Sequence, residues 1–121
     1  MAQLAIRVAT EVVRETTSAT IHAAPLEWHA LGGAGAPFLH DARMVLIQNF
    51  TNADLWISDI PVNGFEKFPI ASRSYLLFDF ASNRTDQGKS LSMAKGSQYY
   101  VKVLEDPTAG SIYLTVFYGE I

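Results

Sequence analysis

Ser111-Ile112-Tyr113-Leu114-Thr115-Val116-Phe117-Tyr118 alternates side chains in the two-residue period of a β-strand, with β-branched and aromatic residues throughout. The same texture recurs upstream at residues 44–50, 54–59, 65–70, 74–80 and 98–104. The links between these runs are chemically legible as turns: Thr51-Asn52-Ala53-Asp54, Pro61-Val62-Asn63-Gly64 and Asp106-Pro107-Thr108-Ala109-Gly110. Asn63-Gly64 accepts positive φ, and links this short imply that successive strands are antiparallel neighbours. Ser82-Asn83-Arg84-Thr85-Asp86-Gln87-Gly88-Lys89-Ser90 is the longest hydrophilic stretch and reads as an exposed loop. Several short strands with regular turn signals predict an all-β chain, a small antiparallel sandwich or barrel.

The first third reads differently. Leu4, Ile6, Val8 and Val12 fall on one side of an extended segment, with Arg7 and Glu11 on the other, and the Val and Thr content favours a strand over a helix. Residues 18–21 then pair back on that strand or continue it as an extended arm. Residues 23–41 hold Pro25, Trp28 and the run Gly32-Gly33-Ala34-Gly35-Ala36-Pro37, which predicts one long loop or hinge. The expected organisation is therefore an extended N-terminal arm with its Gly-rich hinge over residues 1–36, followed by a β-sandwich domain over residues 37–121.

At 121 residues the chain has room for one domain. Hydrophobic residues make up 49% of it and charged residues 17%, below the roughly 25% of ordinary soluble domains, so much of the surface is neutral or apolar, as in a component of an assembly. The net charge is −3 and the nine basic residues are scattered, which argues against a nucleic-acid face. There is no cysteine to form disulfides, no apolar run of the roughly 20 residues a membrane span requires, and no basic segment followed by an apolar run at the N-terminus. Synthesis in a cytoplasm is expected.

Residues that could carry chemistry are few. His22, His29, His40 and Asp41 are the only candidates for a metal or a proton shuttle, and their spacing fits no ligand pattern. Gly88-Lys89-Ser90 lacks the earlier glycine of a phosphate-binding loop, since Asn83 stands there, and the Gly32 run lacks the dinucleotide spacing. Asp54 with Asp59, or Asp79 with Glu66, could pair as acid and base, although Asp54 and Asp59 bracket a strand as turn residues do. Asn49-Phe50-Thr51 and Asn83-Arg84-Thr85 match the glycosylation triplet by chance. No enzymatic activity, cofactor or metal is expected. The aromatic residues carry the weight instead: in Tyr99-Tyr100 and Phe117-Tyr118 neighbouring rings must point to opposite faces of a strand, and exposed Tyr and Trp are favoured interface anchors.

The segment Val45-Leu46-Ile47-Gln48-Asn49-Phe50-Thr51-Asn52-Ala53-Asp54-Leu55-Trp56-Ile57-Ser58 and the stretches Tyr75-Leu76-Leu77-Phe78-Asp79-Phe80, Lys95-Gly96-Ser97-Gln98-Tyr99-Tyr100-Val101-Lys102 and Gly110-Ser111-Ile112-Tyr113-Leu114-Thr115-Val116 resemble small β-sandwich virion proteins of tailed bacteriophages, capsid cement or decoration proteins among them. The resemblance covers roughly residues 44–119. It implies a jelly-roll-like homo-oligomer located in the virion, whose partners are the major capsid protein or other virion proteins, with neither nucleic acid nor membrane as partner. A ring component at the neck or tail is the alternative within that class. The interface candidates are Leu4, Ile6, Val8, Val12, Trp28, Trp56, Tyr99, Tyr100, Tyr113, Phe117 and Tyr118, with the arm adding to a neighbour's sheet edge. A carbohydrate- or receptor-binding sandwich is the second reading, distinguished by whether Trp28, Trp56 and the Tyr99-Tyr100 pair surround a groove.

Overall fold

The computed structural model describes residues 7–33, 36–80 and 93–120. It contains β1 (Arg7–Thr10), β2 (Arg14–Thr17), α1 (Ser18–Ala23), β3 (His29–Ala30), β4 (Met44–Asn49), β5 (Leu55–Ser58), β6 (Phe68–Ile70), β7 (Tyr75–Asp79), β8 (Tyr100–Val103) and β9 (Ser111–Glu120). The strands make two antiparallel sheets. One has the order β1-β9-β4-β7, with β2 also on β9; the other has the order β3-β8-β5-β6. First pairs with last and inward from there: β1 and β2 with β9, β3 with β8, β4 with β7, β5 with β6. A chain doubled on itself as one long hairpin and wound into two sheets has the jelly-roll topology.

That winding corrects the expectation that short links join neighbours. Among the described strands from β4 to β9, only the consecutive pair β5 and β6 lies side by side in one sheet; β4 and β5, β6 and β7, β7 and β8, and β8 and β9 belong to different sheets. The β4 to β5 crossing is tied by the buried Asn49 and Thr51. Asn49 Nδ2 donates to the Ala53 carbonyl at 2.9 Å, and its Oδ1 accepts the Thr51 hydroxyl at 2.6 Å. Both polar side chains thus replace water with internal partners and turn the chain from one layer to the other. The same burial closes the Asn49 amide to a glycan. Gly110 serves the β8 to β9 crossing: its φ is +89°, and a side chain there would collide with the Phe50 carbonyl.

The core lies between the sheets. Val45 and Ile47 of β4 and Ile112, Leu114 and Val116 of β9 meet Leu55 and Ile57 of β5 and Val101 of β8, all buried. Ile21, Leu31 and Phe38 close one cluster with them.

The N-terminal third is docked wherever it is described. β1 runs along the C-terminal half of β9 and β2 along its first half, with Glu11 N–H donating to the Val116 carbonyl at 3.0 Å. Between them the register changes: Thr10 lies opposite Phe117 but Arg14 opposite Leu114, so three residues face two. This is a β-bulge, which puts both Glu11 and Arg14 on the core side of the sheet. The expected alternation holds but the faces are exchanged from β1 onward, with Glu11 buried and Val8 and Val12 exposed. Residues 18–21 form neither a pairing strand nor an arm but the start of α1, because the Thr17 hydroxyl accepts from the Thr20 amide as an N-cap and Ile21 enters the core. The expected loop at 23–41 contains β3 and the buried anchors Leu31 and Phe38, with Phe38 N–H donating to the Ser97 carbonyl at 2.9 Å. Leu4, Ile6 and the Gly88-Lys89-Ser90 segment lie outside the described residues.

Candidate functional site

The candidate site is a pair of outer sheet faces. On the five-stranded sheet, directly opposed residues share a face, so the register assigns the outer side without ambiguity. Leu46 lies between Leu77 and Thr115, Gln48 between Tyr75 and Tyr113, and Met44 between Asp79 and Phe117. Phe50 continues the row, its ring edge-on to Tyr113 at 5.8 Å. Tyr75 is 66%, Phe50 56% and Leu77 51% exposed. The described charged side chains on these strands' outer side are Asp79 on β7 and Glu15 on β2, on opposite edges of the sheet. Glu15 accepts the Ser111 hydroxyl at 2.8 Å. The centre of the face is thus uncharged and mostly apolar, with Gln48 and Thr115 as its polar members.

The outer face of the four-stranded sheet is aromatic and polar. Trp56 lies opposite Lys102 on one side and Pro69 on the other, and Tyr100 lies opposite Ala30 and Ser58. Lys102 Nζ stands 5.7 Å from the Trp28 ring centroid, and donates to Glu66 Oε1 at 3.0 Å and Asn63 Oδ1 at 2.9 Å. The Lys102 hydrogen bond holds the Glu66 carboxyl below the usual carboxylate range. Leu26, Glu27, Trp28, Pro61 and Asn63 line a concavity of about 320 Å³ beside this row.

A third cluster sits at the bulge. Glu11 accepts from Arg14 Nη2 at 2.6 Å, from the amides of Leu39 and His40, and is joined to His40 Nδ1 at 2.9 Å. Burial alone pushes the Glu11 carboxyl up, but the hydrogen bonds from Arg14, His40 and the Leu39 amide, with the Arg14 charge, outweigh it and hold the carboxyl low. Arg14 also donates to the carbonyls of Ala36 and Pro37, and its stem packs on Gly32, where a side chain would clash with it. A concavity of about 590 Å³ adjoins the pair, rimmed by the exposed Val12, Val13 and Leu39. Both charges are engaged with each other and with backbone groups of residues 36–40, so the cluster acts as a latch between β2 and that segment.

The sequence candidates distribute over these regions. Tyr113 and Phe117 belong to the apolar face; Trp28, Trp56 and Tyr100 belong to the aromatic one. Tyr99 points inward and is 4% exposed, between Phe38 and Phe78, and burial pushes its hydroxyl pKa far up, with Asp59 adding to it. Tyr118 stacks on His40 at 3.6 Å. Val8 is exposed beside Gly119, and Val12 is 89% exposed at the bulge. The histidines go to separate places: His22 to Asp106 at 2.8 Å, His29 to the Ala24 carbonyl, His40 to Glu11. Among the described residues no three His, Asp or Glu side chains converge on a possible metal position. Asp54 and Asp59 act separately, Asp54 accepting from the Ser72 amide and Asp59 from Lys67.

Sequence reasoning missed Met44, Leu46, Phe50, Tyr75 and Leu77. Their strands were legible, but both alternating halves of β4 are apolar, so nothing in the pattern says which half faces out. It also missed Glu11 and Arg14, for which a bulge leaves no composition signal. No helix among the described residues is long and apolar enough to cross a membrane. No family model, curated sequence or solved structure matches this chain, and its function is read from its own surfaces.

Proposed function

We propose that this chain is a structural virion protein, a capsid cement or decoration protein that fastens neighbouring shell subunits through the outer face of its five-stranded sheet. The observation that carries the reading is the apolar row of Met44, Leu46, Leu77, Phe50, Tyr75, Tyr113 and Phe117 on one face with its charges at the rim. Such a face gains free energy only when another surface covers it, at roughly 25 cal/mol per Å² of apolar area removed from water. The resemblance of residues 44–119 to phage virion proteins supplies the partner class, and a jelly roll is a compact carrier for two large, independent faces. The edge formed by β1 and β2 is the second contact element, through which the N-terminal segment joins a neighbour.

The test is the copy number of the protein in purified particles, by quantitative mass spectrometry. A number comparable with the major shell subunit is expected. A number lower by orders of magnitude places the protein at the neck or tail, and absence from the particle overturns the reading.

A further inference from the structure

We propose that the outer face of the four-stranded sheet binds a neutral hexopyranose chain, with Trp28, Lys102, Asn63 and Glu66 as its recognition group. This inference is independent of the assembly role, because it rests on the opposite side of the sandwich.

Three observations converge there. The first is the row itself: the indole of Trp28, the Lys102 ammonium above it, and Trp56 across the strand from Lys102. A pyranose ring has an apolar C–H face that stacks on indoles and a rim of hydroxyls that both donate and accept, so its recognition calls for aromatic planes flanked by fixed polar groups. The second is the fixing of those groups. Lys102 is clamped by Glu66 and Asn63, with Lys102 17% and Glu66 23% exposed as side chains, so the ion pair is held in place and still reachable. The Asn63 oxygen accepts from Lys102, so its amide N–H groups are not used in that bond, and Asn63 is one of the residues that line the concavity. The third is an orphan donor. Trp28 Nε1 is buried and has no hydrogen-bond partner among the described residues, while Trp28 forms part of the concavity wall. An unsatisfied buried N–H is destabilising, and a hydroxyl oxygen relieves it when the wall of the concavity opens to admit the sugar.

Charge selects within the sugars. The Lys102 and Glu66 charges cancel, and the exposed Glu27 leaves the concavity mildly acidic, which disfavours uronic and sialic acids. The size of the concavity, about 320 Å³, and its open side suit one or two rings of a longer chain rather than an enclosed monosaccharide.

The chain contains two tryptophans, Trp28 and Trp56, and both belong to this face, so tryptophan emission excited at the red edge, where tyrosine does not absorb, reports on this face. The experiment titrates the full chain with hexasaccharides of β-1,4-linked glucose, α-1,4-linked glucose and β-1,4-linked N-acetylglucosamine, and with polygalacturonate as the acidic arm. A saturable change in tryptophan emission with at least one neutral chain is expected. Calorimetry should find that chain's affinity about tenfold weaker in Lys102→Met, the usual loss for an anchoring side chain, and unchanged in Leu77→Lys on the other face. Comparing the α-1,4-linked arm with the two β-1,4-linked arms distinguishes a storage-type glucan from a cell-wall-type glycan. Flat titrations across all the neutral chains, tighter binding of polygalacturonate, or equal affinity of Lys102→Met would each overturn the proposal. Should Lys102→Met fail to fold, backbone chemical shifts of the unsubstituted chain decide: sugar-induced changes centred on Trp28, Asn63 and Lys102 support the site, and changes centred elsewhere overturn it.

Discussion

On the outer face of the five-stranded sheet Leu46 sits between Leu77 and Thr115; on that of the four-stranded sheet Trp56 sits between Lys102 and Pro69. The two faces are backed by one core, yet the first presents aliphatic and phenyl groups with charge confined to its edges, and the second presents indoles beside a hydrogen-bonded ion pair. A sheet needs only one side of each strand for the core, so the other side is free to carry function. In a jelly roll both sheets have this freedom, which lets one small chain address two partners of different chemistry.

The largest expected effects come from lesions that remove the common support and silence both faces together. Glu11→Ala leaves the largely buried Arg14 charge without its carboxylate, held by the Ala36 and Pro37 carbonyls alone, and should cost about 3 kcal/mol in a urea melt. Leu114→Ala, at the centre of β9, should cost about 2–5 kcal/mol through the cavity it leaves. If either variant kept full stability, the claim of one shared core latched at the bulge would fail. The pH dependence follows from Glu11. Its native pKa lies below the unfolded value, so its contribution is complete at neutral pH and is lost as pH falls through the lowered native value. Glu11→Gln should therefore flatten part of the acid limb of a stability-against-pH curve, and an unchanged limb would show that other carboxylates dominate it.

Next in size is a lesion that separates the faces. Leu46→Lys with Leu77→Lys should lower stability by only about 1 kcal/mol, because Leu46 is half-buried and the two lysines stand directly opposite each other, while association of the chain with itself or a shell is lost. Analytical ultracentrifugation checks this; unaltered association would move the interface elsewhere. The smallest stability effect is expected for Glu66→Gln, whose carboxylate is held low by an ion pair at the surface. It should change the melting temperature little and alter mainly the emission of the two tryptophans.

What the residues reveal by themselves divides along the same line. The strands at 44–50, 54–59, 74–80 and 111–118 were legible because β-branched and aromatic residues mark them in any context. Their distribution between sheets was not, since Thr51-Asn52-Ala53-Asp54 looks like a hairpin turn and becomes a crossing only through the buried Asn49–Thr51 bonds. The apolar face was hidden for a related reason: Met44 and Leu46 are as apolar as Val45 and Ile47, and only the register tells outside from inside. The aromatic face was partly legible through Trp28, Trp56 and Tyr100, but Glu66 and Lys102 are 36 residues apart and nothing local announces their pairing. The bulge had no signal at all, and one inserted residue was enough to turn Arg14 to the same side as Glu11, the core side of the sheet.

The most direct test of the central claim is co-sedimentation of the purified chain with shell particles from its natural source that have been stripped of it. The unsubstituted chain and Trp56→Ala should sediment with the particles, and the Leu46→Lys/Leu77→Lys variant should stay in the supernatant. Equal sedimentation of that variant, or selective loss of Trp56→Ala, would contradict the assignment of assembly to the apolar face.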